Sequence, residues 1–341
     1  MIKKKLIGLT SEEILSLISN SGYTHDHALK ISNNIYKKHV SDISQISGIP
    51  AKLLKELSSI ADVGTFPPSA SQVSVDKTIK YLFINDSGKK FETVFIPDDK
   101  RNTVCVSSQS GCRMGCHFCL TGSYGFHGNL SAAEIVNQVI SLPVSEKVTH
   151  IVFMGMGAPM DNLGNVIKAC SIMIAEWGLS ISPRNITVSS VGITSGIEKF
   201  LESSNCNLTV SLFSPFYEER KKIVPAENRY PVEETIRIMK NFPLKKKRRL
   251  SLSYVMIKAV NDSDLHLNAL KGLLKDSKIR INLLPFHRRK NDMNFSASAE
   301  RMQYFKHNLI ISGISASIRK SRGSDIAAAC GLLASDTTGV S

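Results

Sequence analysis

The chain of 341 residues is short of acid: 29 aspartates and glutamates stand against 43 lysines and arginines, a net charge of +14. Such an excess points to a polyanionic partner, nucleic acid before membrane, although a merely soluble basic protein carries it equally well. No uncharged apolar run approaches the roughly 18 residues that a membrane-spanning helix needs. Lys3, Lys4 and Lys5 are followed by Glu12 and Glu13 rather than by an apolar block. A secretory signal is therefore not expected, and a cytoplasmic location is. Internal repeats and low-complexity tracts are also missing, which excludes a solenoid. With 42% apolar and 21% charged residues, wholesale disorder is excluded as well.

Cysteine is present, but not in a pattern that suits disulfides. The seven stand at 105, 112, 116, 119, 170, 206 and 330; the count is odd and three crowd into one stretch of eight. That argues against a secreted disulfide framework. In a reducing compartment, clustered thiols more often hold a metal or do chemistry.

The length suggests two domains of roughly 150 residues each. Thr10 and Glu13 form a capping box that opens an amphipathic helix through Ile14, Leu15 and Ile18. Further helices are predicted near 28–38 and 51–60, and Ser, Pro and Gly across 61–75 read as a connector. Residues 80–84 and 90–96 flank Asn85, Asp86, Ser87 and Gly88, a β-hairpin signal. We therefore expect a helical accessory domain at 1–75, a β-hairpin connector at 76–97 and a core domain at 98–341. In the core, strand patterns at 103–107, 149–154, 185–190, 208–213, 250–257, 279–284 and 315–318 alternate with helical ones. This is the α/β pattern of a parallel sheet built from βαβ units. About six units are too few for a closed barrel and suit an open, partial TIM-like barrel, with chemistry at the C-terminal ends of the strands.

The loop after the first core strand reads Gly111, Cys112, Arg113, Met114, Gly115, Cys116, His117, Phe118, Cys119. Three thiolates spaced C-x3-C-x2-C can hold three irons of a [4Fe–4S] cluster and leave the fourth open to a ligand. A zinc site needs a fourth ligand, for which His117 is the near candidate, and lacks the usual paired C-x2-C units. Taken alone, Cys105 and Cys330 read as buried small apolar residues, although Arg319, Lys320 and Arg322 would favour a thiolate at 330 if they fold nearby. Glu92 taken alone reads as a solvated carboxylate on a hairpin. Cys170 and Cys206 read as core.

The C-x3-C-x-aromatic-C loop resembles the radical S-adenosylmethionine (SAM) superfamily, in which the cluster cleaves SAM to a 5′-deoxyadenosyl radical. Residues 103–111 (TVCVSSQSG), 125–130 (GFHGNL), 153–159 (FMGMGAP) and 322–332 (RGSDIAAACGL) are similar to stretches of the rRNA adenine C2/C8 methyltransferases, the RlmN/Cfr family. The resemblance covers about 80–335. It implies the radical SAM core fold, a [4Fe–4S] cluster held by Cys112, Cys116 and Cys119, and SAM as second cofactor. Cys330 matches the cysteine that receives a methyl group, and Cys105 the one that later resolves a covalent adduct by a transient disulfide with Cys330. Glu92 matches the proposed proton acceptor. The chemistry needs such groups: an sp² ring carbon of adenine resists ordinary methyl transfer, so the adduct requires a base and a second thiol.

For SAM contacts the resemblance points to Gly157, Ala158, Ser189, Ser211, Leu212, Phe213 and His287. Ser189 matches the pattern; three positions depart from it. Ala158 replaces the glutamate of Gly-Glu-Pro, Phe213 the histidine of Ser-Leu-His, and Phe286-His287-Arg288 the usual Trp-Asn-Pro. Losing a buried charged hydrogen bond at 158 should weaken SAM binding by about 1.5–3 kcal/mol without abolishing it. The runs 245–249 (KKKRR) and 287–290 (HRRK) fit phosphate contact, with solvated loops as the bland reading.

The expectation is a radical SAM RNA methyltransferase acting on rRNA, with tRNA as a further substrate, reduced by a donor such as flavodoxin, monomeric and free of membrane. One alternative is a divergent radical SAM enzyme with another substrate. The other is a non-catalytic zinc-containing RNA-binding module.

Overall fold

A computed structural model describes residues 3–19, 22–244, 248–288 and 293–333. Residues 245–247 of one basic run, and Arg289 and Lys290 of the other, lie outside the described residues.

Three helices open the chain: α1 (Ser11–Ile18), α2 (His25–Tyr36) and α3 (Ala51–Ile60). The capping box forms as read, with Thr10 Oγ1 accepting from the Glu13 amide and Glu13 Oε2 from the Thr10 amide. The second helix starts three residues before its expected position, because Thr24 and the His27 ring cap it. Ile14, Ile18, Ile31, Ile35, Leu53 and Leu57 form the buried side of this layer. It is tied to the rest by Lys168 Nζ on Glu13 Oε1 at 2.7 Å and by the Tyr36 ring against Trp177 at 5.9 Å.

One sheet of ten strands follows: β1 (Ala70–Val73), β2 (Ile79–Ile84), β3 (Lys90–Ile96), β4 (Thr103–Cys105), β5 (His150–Phe153), β6 (Ile186–Ser190), β7 (Asn207–Ser211), β8 (Leu250–Met256), β9 (Arg280–Pro285) and β10 (Ala316–Ile318). Neighbours in the sheet are neighbours in sequence, from β10 at one edge to β1 at the other. The strands β4 to β10 are parallel, whereas β1 to β4 pair antiparallel. The two edges do not pair, so the α/β barrel stays open. The hairpin β2–β3 is thus continuous with the barrel sheet. Among the described residues no helix is long and apolar enough to cross a membrane.

Alternation sets the two faces of the parallel strands. Ile151, Phe153, Ile186, Val188, Leu208, Val210, Leu250, Leu252, Ile281 and Leu283 are buried in the main core. The residues between them include Ser189, Thr209, Ser211, Ser253 and Asn282, which face the lumen. A filled barrel packs bulky branched side chains there. These small polar ones leave the lumen open.

Five short strands escaped sequence reading, among them Lys4–Lys5 and Ala61–Asp62, which pair parallel beside the helical layer. Ala70–Val73, inside the presumed connector, has no apolar alternation because it is an edge strand with exposed Ser71 and Val73. Gln109–Gly111 pairs with Phe126–Asn129 beside the cysteine loop. At Gly111 (φ +76°) a Cβ would stand 1.8 Å from the Gly125 carbonyl oxygen, so only glycine lets the two segments close.

Candidate active site

The strand β4 delivers Cys105 to the sheet and passes into residues 106–111, all buried. Two glutamines lock this stretch. Gln138 accepts from the Ser107 amide (2.7 Å) and from Thr93 Oγ1 (2.8 Å), and donates to the Ser107 carbonyl (2.9 Å). Gln109 accepts from the Ala158 amide (2.8 Å) and donates to Asn129 and Asp161. The cysteine loop is then closed by the Cys112 amide on Gly125 O at 2.7 Å and by the Cys119 amide on Cys116 O at 3.1 Å.

Cys112, Cys116 and Cys119 line a cavity of 170 Å³ at the C-terminal ends of the strands. Burial pushes the Cys112 thiol up to about 11 and Cys116 up to about 12, with the neighbouring cysteines adding to both. Arg220 pulls Cys116 the other way. His117 is exposed, does not line this cavity, and donates its amide to Ile223 O instead. Among the described residues no three His, Cys, Asp or Glu side chains converge as the ligands of a single ion would. Cluster ligands each bind a different iron, and a wider spread suits them.

A second lobe of 340 Å³ lies deeper in the lumen and shares Met154, Ser253, Leu284, His287 and Cys330 with the first. Its wall carries Cys105. Cys330 lines both lobes and is exposed to them, and its thiol is nonetheless raised. Burial raises it, Arg319 lowers it, and Cys119 raises it further. Burial and the nearby Cys330 likewise raise the thiol of Cys105. Thus two cysteines 225 positions apart share one chamber.

Glu92 stands on β3, 3% exposed, with Oε1 at 3.2 Å from Lys80 Nζ. Its side chain points to the same face as that of Val94, two residues on, which sits opposite Cys105 in the β3–β4 register. It therefore occupies the same sheet face as Cys105 but does not form part of either cavity wall.

Of the expected SAM contacts, Gly157, Ala158, Ser189, Ser211 and His287 line the upper lobe. Gly157 needs its φ of +96°, and a Cβ there would meet Gln109 at 2.5 Å. Leu212 and Phe213 lie behind the wall. Leu212 is fully buried, and Phe213 takes φ +62° and stacks on Phe118 of the cysteine loop, ring centres 5.9 Å apart. Burial lowers the proton affinity of His287.

Sequence reading missed Arg220. It looks like part of a solvated run, Arg220-Lys221-Lys222, yet it is 0% exposed and ion-paired with buried Glu227. Its guanidinium donates to the carbonyls of Leu212, Val191 and Ser211, joining the C-terminal ends of β6 and β7 under the cavity. Only the tertiary structure reveals it, since the helix Tyr217–Ile223 carries its other charges outward.

The profile of the radical SAM superfamily matches residues 106–269. The probable dual-specificity RNA methyltransferase RlmN of Parabacteroides distasonis is 42% identical over 331 residues, covering 97% of this chain and 96% of that protein. The dual-specificity RNA methyltransferase RlmN of Geobacter sulfurreducens is 38% identical over 326 residues, 96% of this chain and 91% of that one. The chain belongs to the RlmN family. A crystal structure of a radical SAM methyltransferase from Sphaerobacter thermophilus superposes with a TM-score of 0.90 at 34% identity, covering 98% of this chain and 100% of that one. RlmN proteins, as members of the radical SAM superfamily, use a [4Fe–4S] cluster and SAM. The three-cysteine cavity with its ligand-sized continuation fits both.

Arg220 yields a test of how this site is built. Breaking a buried pair leaves an uncompensated charge, so Arg220→Ala should lower stability by about 3–5 kcal/mol in urea unfolding. A loss under ~1 kcal/mol would place the guanidinium in solvent.

Proposed function

We propose that this chain methylates a ring carbon of adenine in RNA by radical chemistry, with the methyl group carried on Cys330. The observation that carries this reading is the place of Cys330 in both lobes, between the three-cysteine wall and Cys105. When bound, cluster and SAM supply a carbon radical and a methyl donor. Cys112, Cys116 and Cys119 hold the cluster, while Gly157, Ala158, Ser189, Ser211 and His287 shape the SAM lobe, with Leu212 and Phe213 supporting it from behind.

Cys330 Sγ bears the methylene carbon that bonds to the ring. Glu92, held by Lys80, accepts the proton removed from the ring carbon, and the unpaired electron left on the ring would pass to the bound cluster, which supplies the one-electron acceptor. Cys105 Sγ then attacks Cys330 Sγ. A disulfide forms, the sulfur–carbon bond breaks, and its electron pair leaves with the methylene carbon, which a proton completes to a methyl group. Burial raises the thiol of Cys105, which therefore attacks only once a base has taken its proton.

The substrate reading places rRNA first and tRNA second, with the target base splayed from its stack to reach the lumen. A flavodoxin-type donor, a monomeric state and a cytoplasmic location belong to the same reading. So does the division into accessory domain (1–75), hairpin (76–97) and core (98–341). Ala158 in place of a carboxylate favours one second reading, the same radical chemistry on a different substrate.

Iron and sulfide analysis after anaerobic reconstitution separates the enzyme from a zinc module. Changing any one of Cys112, Cys116 or Cys119 to Ala should abolish the brown absorbance and all SAM cleavage. Full iron content in such a variant would contradict the ligand set.

The two outlying cysteines separate by order. Cys330→Ala should lose methyl transfer with no covalent RNA species. Cys105→Ala should start the reaction and stall, leaving RNA tethered through Cys330, and the double variant should trap nothing. Gel mobility after denaturation reads the tether. Methylated product from Cys330→Ala would refute the covalent route.

A further inference from the structure

We propose that Arg101, Arg249, Arg280 and Arg319 form a phosphate seat at the N-terminal mouth of the barrel that holds the RNA backbone beside the target nucleotide. This rests on the RNA reading above and adds to it a site at the end of the barrel opposite the cysteine loop.

A cavity of 230 Å³ opens where Thr187, Asn207, Ser251 and Arg280 lie at the N-terminal ends of their strands. Four guanidiniums contribute to its wall and no aspartate or glutamate does. None of the four takes part in a salt bridge among the described residues. Arg249 is fixed by donating Nη2 to the Arg184 carbonyl at 2.8 Å.

The group repels itself. Burial weakens the hold of Arg101 on its proton, and Arg319 and Arg249 weaken it further, with Asp98 alone opposing. Arg249 is lowered by burial, then by Arg280 and Arg319. His150, at the start of β5, is lowered by burial, Arg101 and Arg249. Like charges gathered in one concavity with no carboxylate raise the energy of the empty site, and an anion entering it removes that strain. Planar guanidinium forks match phosphate oxygens in pairs.

The seat is continuous with the reaction chamber. Arg101 and Arg319, with Met154 and Asn282, line both this cavity and the lobe that carries Cys105 and Cys330. A base drawn toward Cys330 from this side leaves its flanking phosphates among the guanidiniums. Extruding a nucleotide needs such a hold on its backbone.

The test uses the full-length reconstituted protein and a fluorescein-labelled RNA hairpin with adenosine in its loop, its affinity followed against potassium chloride. R101Q/R280Q should flatten the slope of log K against log salt by about 0.7 for each guanidinium removed. K199Q/K271Q, which removes the same charge from outward-facing helices, should leave the slope near wild type. Loss of a repelling charge does not weaken the fold, so R101Q/R280Q should unfold at or above the wild-type temperature. An unchanged slope in R101Q/R280Q, or equal flattening in both doubles, overturns the seat while the RNA reading stands. A wild type that binds no RNA overturns that reading, and the assigned ligand with it. If sodium phosphate raises the unfolding temperature more than chloride at equal ionic strength, yet the R101Q/R280Q slope is unchanged, the seat serves a free anion and the backbone assignment is wrong.

Discussion

The site depends on a closure between distant parts of the chain: the segment bearing Cys330 must lie against the sheet that bears Cys105. Two sets of hydrogen bonds hold it there. On one side the turn before β2 grips it, with Asp76 accepting from the Gly323 amide at 3.0 Å and Asp325 accepting from Ser74 Oγ and the Val75 amide. On the other side the helix after the cysteine loop joins it, through the Leu120 amide on Gly331 O and Thr121 Oγ1 on Leu333 O. The bonds to Asp76 are strong enough to hold its carboxyl down at about 2, against burial, which raises it. This clamp is therefore complete above the ordinary carboxylate range and is lost only as pH falls toward 2. Left-handed turns at Gly323, Ala327 and Gly331 let so short a segment bend onto its partners.

Much of this was legible in the sequence, for physical reasons. The cysteine loop concentrates three thiols in eight residues, a density that core packing does not require. The parallel strands announce themselves by apolar runs that bury one face under helices and by small polar residues on the other. What stayed hidden was whatever depends on partners far along the chain. Arg220 sits among exposed charges in sequence and under the cavity floor in space. Leu212 and Phe213 read as wall residues. The turn of Phe213 into φ +62° instead carries its ring away from the lumen and onto Phe118. The four arginines of the lower mouth come from 101, 249, 280 and 319, and no local pattern groups them.

The departures at 158, 213 and 287 gain a structural meaning. Ala158 keeps its place by a backbone bond to Gln109, which also binds Asp161, and Asp161 holds Arg113 at 2.9 Å. The loop shape thus does not need the side chain that is missing. Phe213 trades a polar contact for aromatic packing against the cysteine loop. His287 replaces an amide on the wall between the two lobes, where burial favours its neutral form. The changes at 158 and 287 touch the ligand-facing surface and that at 213 lies behind it, while the three cysteines, Cys105, Cys330 and Glu92 stay in place.

The chamber so built has thiols in its middle, a cluster-ready loop at one end and concentrated positive charge at the other. That polarity matches a substrate whose base must go in while its phosphates stay at the mouth. The most direct measurement is mass spectrometry of nucleosides from rRNA and tRNA of cells with and without this gene. The account predicts an adenosine bearing one extra methyl on a ring carbon, present with the gene and absent without it. Identical nucleoside profiles would contradict it.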